Sequence, residues 1–236
     1  KLKTKSNDDD DDDNFTPMSK LNGAPALVLA GCHTLVVFDE ETTGDPLESA
    51  ALGAMRWHIS STNGQAEPAP AHGKVPAGKA ISMSGTSSIT SVEIVARHHF
   101  SSKLQRMSCV IKAGGKQFAV AKGSPEAIGK LLASKPLGYD DKSQYFAKQG
   151  YRVIGLAYKS LDSNDDAKSA VESRGSCESG LVFAGFIAFT CMVRKDTADV
   201  LKRLKEGGMS VAMVTGDALL TAIHVAKEVQ ICEPTA

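Results

Sequence analysis

Residues 122–126, which read Lys-Gly-Ser-Pro-Glu, constrain the fold of this chain more than any other stretch. They separate an alternating run, 118–121, that is typical of a β-strand from a run that is typical of a helix. Ser124 suits the N-cap of that helix, and the proline after it suits the first turn. Capping does not explain Lys122 and Gly123, because a cation beside a residue without a side chain is typical of places where a polyanion approaches the backbone. The segment therefore predicts a strand-to-helix junction beside an anionic ligand.

Composition and charge exclude several classes of protein. The 236 residues hold 27 basic and 27 acidic side chains, and the aspartate run at 8–13 is typical of a solvated segment without fixed structure. No basic patch suggests nucleic acid as a partner. The 5 cysteines are widely spaced and odd in number, which favours a reducing compartment over a disulfide scaffold. No apolar run approaches the ~18 residues that a membrane-spanning helix needs, so we expect a soluble chain.

The sequence pattern divides the chain into three parts. Residues 1–24 predict an acidic disordered linker. Residues 25–187 hold alternating runs joined by a Gly-Gly hairpin signal at 114–115, which predicts an antiparallel sheet flanked by helices. Residues 188–236 alternate strand and helix patterns, which predicts a partial doubly wound domain with a parallel sheet. The predicted fold class is α/β, and the Ser-, Gly-, Ala- and Pro-rich residues 60–88 predict a mobile insertion.

The periodicity also predicts the individual elements. Helices are expected at 25–32, 45–56, 125–133, 141–149 and 196–206, with a last helix from Asp217. Strands are expected at 91–100, 107–113, 116–122, 152–159, 183–189 and 211–214. The polar residues 162–178 indicate a loop or a short helix.

Four more motifs stand with residues 122–126 in the order of one known family. They are Gly-Asp-Pro-Leu-Glu at 44–48, Phe-Ser-Ser-Lys-Leu-Gln-Arg-Met-Ser at 100–108, Gly-Tyr-Arg-Val-Ile-Gly-Leu-Ala at 150–157 and Met-Val-Thr-Gly-Asp at 213–217. The series resembles the cytosolic half of a P-type ATPase, over about residues 27–231. The 44–48 block, the His-His-Phe-Ser-Ser stretch at 98–102 and Cys191 before Met-Val-Arg most resemble the fifth class of these pumps, in its A branch of the endoplasmic reticulum.

This resemblance implies a nucleotide-binding domain at 25–187. By the resemblance, Glu48 faces the adenine amino group, Phe100 stacks on the base, and Lys122 lies along the ATP pocket. Arg152 contacts phosphate, where a guanidinium fork suits the oxygens better than an ammonium does. The six residues implied to bind nucleotide are Glu48, Phe100, Arg106, Lys122, Gly123 and Arg152.

The same residues have plainer alternatives. Asp45 and Glu48 also fit a capping box, in which the acid only stabilises the start of a helix. A lone aromatic such as Phe100 is often a core residue. Lys122 and Arg152 also fit solvated cations at the ends or edges of strands.

A phosphate-binding group is implied at the junction between the strand 211–214 and the last helix. Thr215, Gly216 and Asp217 would place a helix N-terminus, whose free N–H groups favour anions, beside a phosphoryl group. The resemblance adds Arg194 to this group. The family usually has asparagine where Ala218 stands here, and the plainer alternative is an N-cap aspartate after a tight glycine turn.

Asp39 resembles a catalytic nucleophile only superficially. It follows an apolar run and precedes a Thr-Gly pair, but the pumps' motif Asp-Lys-Thr-Gly-Thr needs a lysine directly after the aspartate, where Glu40 stands. We therefore predict no catalytic residue and no metal site in this chain. The resemblance places the phosphorylated aspartate and the membrane helices of the intact enzyme outside it.

The resemblance implies that the intact protein uses ATP and Mg²⁺ to drive a translocase in the endoplasmic-reticulum membrane. The A branch is associated with removal of misplaced transmembrane helices, and this chain would be a monomeric part on the cytosolic side, bound to the membrane domain of its own polypeptide. Three alternatives remain at this point. They are the B branch, linked to polyamines and metals in late endosomes and lysosomes, a self-contained phosphatase of the haloacid dehalogenase type with Asp39 as nucleophile and Thr215 as its phosphate hydroxyl, and a non-catalytic interaction module.

Overall fold

The computed structural model describes residues 15–71, 78–84, 86–190 and 192–232. Most of the predicted linker 1–24, together with Cys191, therefore lies outside the described residues. The chain forms two compact units, one of Lys1–Lys135 and Gly155–Phe186 and one of Pro136–Ile154 and Ile187–Ala236. Pro136–Ile154, which we expected within the domain 25–187, groups with the later residues instead. The domain limits at 24 and 187 stay predictions.

The described residues form nine strands in two sheets. A two-stranded hairpin consists of β1 (Val36–Phe38) and β2 (Glu41–Thr43). The larger sheet has seven strands in spatial order, which are β3 (Trp57–Ile59), β4 (Ala66–Pro68), β5 (Val92–Ser101), β6 (Arg106–Ala113), β7 (Lys116–Gly123), β8 (Tyr151–Leu161) and β9 (Val182–Thr190). Every pairing from β3 through β8 is antiparallel, which confirms the predicted antiparallel sheet.

Eight α-helices accompany the strands in the part of the chain that the structure describes. They are α1 (Gly23–Gly31), α2 (Pro46–Ala54), α3 (Pro125–Gly129), α4 (Tyr139–Lys148), α5 (Asn164–Glu172), α6 (Arg174–Glu178), α7 (Thr197–Glu206) and α8 (Leu219–Glu228), and a short 3₁₀ turn lies at Met18–Lys20. Within the described residues no helix has the length and apolar character needed to cross a membrane.

Helices cover both faces of the sheet in the first unit. On one face α1 packs closely on β6, because a Cβ atom on Gly31 would lie 2.8 Å from the side chain of Ile111. On the other face Val110 belongs to a buried apolar cluster with residues of α5 and α6. Alternate residues of β6 thus point to opposite helical layers, which confirms the expected flanking of the sheet by helices.

The β6–β7 hairpin formed as predicted. Gly114 and Gly115 both adopt positive φ angles, 54° and 77°, at the turn, and the register runs without a break from Ala113↔Lys116 to Arg106↔Gly123. Positive φ at both central residues matches the twist of the flanking strands, and glycine reaches it without a steric penalty.

Two local predictions differ from the structure of the first unit. Residues 66–68, inside the predicted mobile insertion, form β4 between β3 and β5, and Ile81 is buried and bridges to Ile89. The low apolar content of 60–88 concealed these few anchoring residues. The segment 162–178 forms two helices, α5 and α6, since small residues such as Ala167 and Ala170 supply their buried side.

The second unit differs more from the prediction. Residues 211–214 are not a strand, and the side chain of Val214 is 98% exposed. A strand needs a partner for its backbone, and the described residues offer none to this segment. The partial parallel sheet expected for 188–236 is therefore not formed there. We expected residues 183–189 to form a buried strand. They lie in β9, but most of them are only half-buried, and Ile187 and Phe189 are the buried ones.

The last helix packs within the second unit. It begins at Leu219 rather than at Asp217, with Ala218 at the N-cap and no side-chain cap. The Thr221 hydroxyl donates to the Tyr151 carbonyl at 2.9 Å. A Cβ atom on Gly150 would lie 2.2 Å from the ring of His224, so only glycine fits where this helix crosses the chain.

Candidate nucleotide-binding site

An ion pair joins two of the residues implied to bind nucleotide. Lys122 Nζ lies 2.7 Å from Glu48 Oε1, and the two side chains are only 14% and 9% exposed. Lys122 comes from the end of β7 and Glu48 from the first turn of α2. Asp45 positions that turn, because its Oδ1 accepts hydrogen bonds from the N–H groups of Leu47 and Glu48 at 2.7 and 3.3 Å.

The second carboxylate oxygen of Glu48 is held by Thr34. Glu48 Oε2 accepts from the Thr34 N–H at 2.8 Å and from its hydroxyl at 2.9 Å. Glu48 thus binds a residue 14 positions earlier in the chain. Its carboxylate does not make the capping-box hydrogen bond to the start of its own helix, although its position after Asp45 suggests one. Asp45 does cap the helix, so half of that alternative is correct.

The charge state of Glu48 follows from these contacts. Partial burial by itself would raise the pKa of the carboxyl, but the attraction of Lys122 and the hydrogen bonds from Lys122 and Thr34 outweigh it and hold the pKa below its usual value. Glu48 is therefore an anion near neutral pH, matched by the ammonium of Lys122.

Phe100 lies near the end of β5, and its side chain is 61% exposed. The pairing of β5 with β6 shifts between His98 and Ser101, which is a local irregularity of the ladder. An exposed aromatic residue at a strand end does not fill the core, so the core alternative for Phe100 is wrong. Much of its ring is therefore open to solvent.

The strand register brings Phe100 and Lys122 to the same end of the sheet. Ser101 pairs with Arg106 and Arg106 with Gly123, so these three residues form one line across β5, β6 and β7. Phe100 precedes this line by one residue, and Lys122 does the same on β7. The structure therefore brings three predicted residues, Glu48, Phe100 and Lys122, to the same end of the sheet.

Arg106 faces the other side of the sheet. Its neighbour Met107 pairs with Lys122, so Arg106 points away from the Lys122 face. Arg106 Nε donates to Glu178 Oε2 at 2.7 Å, and the Ser108 hydroxyl donates to Glu178 Oε1 at 2.9 Å. Glu178 is 3% exposed, so Arg106 has a structural partner and the structure does not bring it to Glu48 and Lys122.

The packing of the chain also requires a glycine at position 123. A Cβ atom there would lie 2.4 Å from the Gln105 carbonyl oxygen and 2.6 Å from the Arg106 Cβ. The space that the missing side chain leaves is thus filled by the turn before β6. The Ser124 N–H donates to the same Gln105 carbonyl at 3.0 Å, so the two segments pack on each other. The predicted close approach of a ligand is not the role that this packing favours.

The remaining candidates lie in the second unit. Arg152 Nη1 is 3.3 Å from Asp217 Oδ1, with side chains 51% and 31% exposed. The Thr215 hydroxyl accepts from the Asp217 N–H at 3.1 Å, and Gly216 lies in this turn with open space above its Cα. Arg194 pairs instead with Asp196, at 3.0 Å on the surface. The structure therefore brings Arg152 to the 215–217 turn and leaves Arg194 with its own neighbour.

Comparison with known proteins adds the family to this geometry. Residues 138–196 match the profile of "P-type ATPase, cytoplasmic domain N". The chain is 37% identical over 216 residues to "Probable manganese-transporting ATPase PDR2" of Arabidopsis thaliana, which covers 92% of the chain and 17% of that protein. This chain belongs to the P-type ATPases. It spans about a sixth of the length of such curated relatives, 17% in the case of PDR2.

Other relatives of this P-type ATPase chain carry different names. It is 34% identical over 235 residues to "Endoplasmic reticulum transmembrane helix translocase spfA" of Aspergillus fumigatus, covering 92% of the chain and 17% of that protein. It is 36% identical over 211 residues to "Probable cation-transporting ATPase 13A4" of Gallus gallus, covering 86% of the chain and 17% of that protein. These are pumps of the fifth class, as the motifs predicted.

Sequence reasoning missed three polar residues that hold or neighbour the candidate side chains. Thr34 binds Glu48, Glu178 binds Arg106 on the other face of the sheet, and His33 is a buried histidine next to Thr34 in the chain. The polar run Cys-His-Thr at 32–34, directly after a wholly apolar helix, was a signal for the first and third. Glu178 carried no such signal, since it lies at the end of a polar stretch that gives no indication of burial.

Proposed function

We propose that this chain is the ATP-binding part of a P-type ATPase, with the adenine end of the nucleotide at the Glu48, Phe100 and Lys122 edge of the sheet. Two observations together carry the proposal: the register brings Phe100 and Lys122 to the same end of the sheet, and an ion pair joins Lys122 to Glu48. An exposed ring, a cation and a buried anion are the groups that a purine nucleotide needs for stacking and for contact with its amino group and its phosphates.

The exposed ring supports the base end of the site. Stacking of a base on an aromatic side chain is sequence-tolerant and contributes about 1–3 kcal/mol. Phe100 is 61% exposed and belongs to β5, a strand of the large sheet, rather than to a long loop. A rigid platform loses little conformational freedom on binding, so the ring is well placed to bind a base.

The candidates for contact with phosphate are residues of the second unit. Arg152 has one ion-pair partner and is half exposed, which leaves donors of its guanidinium open to solvent. Thr215 is exposed in the turn that leads into α8. We place Arg152, Thr215, Gly216 and Asp217 near the transferred phosphate in the assembled enzyme, and we retain Arg194 as a weaker candidate because Asp196 already neutralises it.

P-type ATPases use ATP and Mg²⁺ to form a phosphorylated aspartate. In the part of the chain that the structure describes, no group of three or more His, Cys, Asp and Glu side chains could hold a metal ion. The Asp217 carboxylate is paired with Arg152. These residues do not fit a magnesium site of their own, and the lack of phosphoryl transfer by this chain alone stays a prediction.

Asp39 gives no support to the phosphatase alternative. It lies in the β1–β2 turn with a φ of 47°, on an antiparallel hairpin. A phosphatase nucleophile of the predicted type would follow a strand of a parallel sheet. We therefore expect no acyl phosphate on Asp39 after incubation with γ-labelled ATP and Mg²⁺ followed by acid quench. A hydroxylamine-sensitive label on Asp39 would support the phosphatase instead.

For the intact protein we propose an ATP-driven translocase in the endoplasmic-reticulum membrane, with this chain on the cytosolic side next to its own membrane domain. The support is the likeness to relatives named endoplasmic reticulum transmembrane helix translocases, in Aspergillus fumigatus and in Saccharomyces cerevisiae. The B branch is the second candidate, since relatives named probable cation-transporting ATPase 13A4 are 36% and 33% identical to the chain, against 34% for each of the two translocases. The nature of the transported substrate separates the two.

Titration calorimetry with ATP tests the proposed site. We expect the chain to bind ATP and Phe100→Ala to weaken binding about tenfold, which corresponds to the loss of one stacked base. Phe38→Ala is the matched control, because Phe38 is also an exposed phenylalanine, 69% exposed, on the separate hairpin. Equal affinity of Phe100→Ala and the unmodified chain would contradict the adenine site.

A further inference from the structure

Strand β5 contains a bulge at the residue on which the base is proposed to stack. His98 and Ser101 both pair with residues of β6. The two residues between them, His99 and Phe100, lie opposite Met107 alone. A bulge of this kind interrupts the ladder and re-aims a side chain. The direction of the Phe100 ring therefore depends on how the backbone between His99 and Phe100 is held.

Arg174 contacts this part of the backbone from α6. It is the first residue of that helix, and its Nη2 donates to the His99 carbonyl. The carbonyl belongs to the planar peptide group that joins His99 to Phe100, so the contact fixes the plane from which Phe100 continues. The Arg174 side chain is only 26% exposed, and a charged donor makes a stronger hydrogen bond than a neutral one. The bulge is thus held in a defined orientation.

A buried carboxylate holds the guanidinium of Arg174 in place. Arg174 Nη1 lies 3.4 Å from Glu178 Oε1, and Glu178 is itself bound to Arg106 and Ser108 of β6. The donors of a guanidinium lie in one rigid plane, so the contact with Glu178 also fixes the direction of Nη2. Arg174 therefore links the end of β6, through Glu178, to the bulge of β5.

We propose that Arg174 is a positioning residue for Phe100, which it orients through the His99 carbonyl without touching the nucleotide. This inference rests on the nucleotide site proposed above. A ring that is 61% exposed is held by little packing of its own. A side chain that must be ordered when the ligand arrives lowers the affinity, so a backbone fixed beforehand by Arg174 favours stacking.

Calorimetry with ATP and with adenosine tests this role. Arg174→Ala should weaken the binding of both ligands by a similar factor, about fivefold, because the base loses part of its stacking. Adenosine carries no phosphate, so a loss confined to ATP would mean that Arg174 only attracts the charge, and it would overturn the positioning role. In this variant Glu178 keeps Arg106 and Ser108 as partners, so we expect the fold to persist, which urea denaturation checks.

Lys159→Met is the matched control for a general loosening of α6. Lys159 Nζ donates to the carbonyls of Ser176 and Ser179, at 2.7 Å each, and so attaches α6 to β8 rather than to the bulge. This variant should bind ATP like the unmodified chain, and an equal loss in Lys159→Met and Arg174→Ala would overturn the proposal. Absence of ATP binding by the unmodified chain would instead overturn the nucleotide site itself.

A double-mutant cycle shows whether Arg174 acts through Phe100. In a Phe100→Ala background the added Arg174→Ala should change the ATP affinity by less than about twofold, because the ring that Arg174 orients is gone. The same fivefold loss in that background would overturn the proposal.

Nitrogen NMR relaxation gives a readout without ligand. The Phe100 amide lies in the same peptide group as the His99 carbonyl, so its order parameter, about 0.85 in rigid backbone, should fall in Arg174→Ala and stay unchanged in Lys159→Met. An order parameter at Phe100 that is equal in Arg174→Ala and in the unmodified chain would contradict the proposal.

Discussion

A Cβ atom on Gly123 would lie 2.6 Å from the Cβ of Arg106, its partner across the β6–β7 ladder. The two residues point to the same face, and Arg106 occupies the room that a side chain at 123 would need. The glycine in the Lys-Gly-Ser-Pro-Glu segment is thus required by the turn that precedes β6. Its neighbour Lys122, on the opposite face, is the residue that the proposed site uses.

This packing predicts the effect of Gly123→Ala. The added methyl group meets backbone atoms of Gln105 and Arg106, which cannot move like the end of a side chain, so we expect destabilisation of about 1–3 kcal/mol. Urea denaturation would measure it. Gly53→Ala is the matched control, because no atom lies within 4 Å of its Cβ position in α2. Gly53→Ala should be neutral or stabilising, and a Gly123→Ala variant of full stability would contradict the packing argument.

Removal of the charge of Glu178 should greatly lower the free energy of unfolding. Its carboxylate is 3% exposed and contacts Arg106, Ser108 and Arg174. Glu178→Gln keeps the shape but leaves two guanidinium groups without their anion, which should lower the free energy of unfolding by about 3 kcal/mol.

The surface pair between Lys202 and Glu206 supplies the control for that measurement. These side chains are 70% and 64% exposed and 4.0 Å apart. Glu206→Gln should change the free energy of unfolding by less than about 0.5 kcal/mol in the same denaturation experiment. Similar values for the two variants would show that Glu178 is not a buried link between β6 and α6.

His33 predicts a pH dependence of stability. Its pKa falls from 6.5 in the unfolded chain to about 4 in the folded one, so the folded state is favoured fully above pH 6.5 and loses this advantage as the pH falls towards 4. Between pH 7.5 and 5 the loss should be about 2 kcal/mol. His33→Leu should remove that part of the decline.

Glu48 affects the stability only at a lower pH than His33 does. Its folded pKa is lowered from 4.5, so its contribution is present above that value and is lost only as the pH falls through the folded value. Urea denaturation at pH 7.5 and 5 therefore reports on His33 with little contribution from Glu48. A decline that is equal in His33→Leu and in the unmodified chain would show that the ring does not stay neutral.

Substitution of Arg152 should weaken phosphate binding with little effect on the stability of the fold. Its pair with Asp217 is half exposed, so Arg152→Ala should change the free energy of unfolding by less than about 1 kcal/mol. If it contacts phosphate, the variant should bind ATP more weakly but adenosine as before. Calorimetry with both ligands checks this, and Lys202→Ala serves as a control at another exposed cation. An equal loss for adenosine would exclude a phosphate contact.

The antiparallel sheet was predictable because its signals are local. The Gly-Gly turn at 114–115 and the alternation on either side define β6 and β7 within one short stretch. The strand expected at 211–214 was wrong because apolar β-branched residues favour a strand only where a partner exists. Here Val214 is almost fully exposed among the described residues.

The site was predictable in part. The order of the motifs identified Glu48, Phe100 and Lys122, and the structure places them at one end of the sheet. Which face a side chain takes depends on register, so Arg106 was assigned to the ligand although it points to Glu178. The burial of His33 depends on α1 and three other elements meeting around it, which no pattern within its own segment contains.

The seven-stranded sheet follows the chain, since each strand from β3 to β9 lies beside its neighbour in sequence. Hairpins of this kind close within about 1–10 μs, and short sequence separations make the search for partners fast. The β6–β7 hairpin, joined by a two-glycine turn, has the shortest connection and the longest unbroken register in this series. Growth of the sheet by addition of β5 on one side and β8 on the other therefore needs no crossover. Phe100 and Lys122 lie on β5 and β7, on either side of β6 and at the same end of the sheet. Since the connections within β5–β7 are short, we expect this end of the sheet to form early in folding.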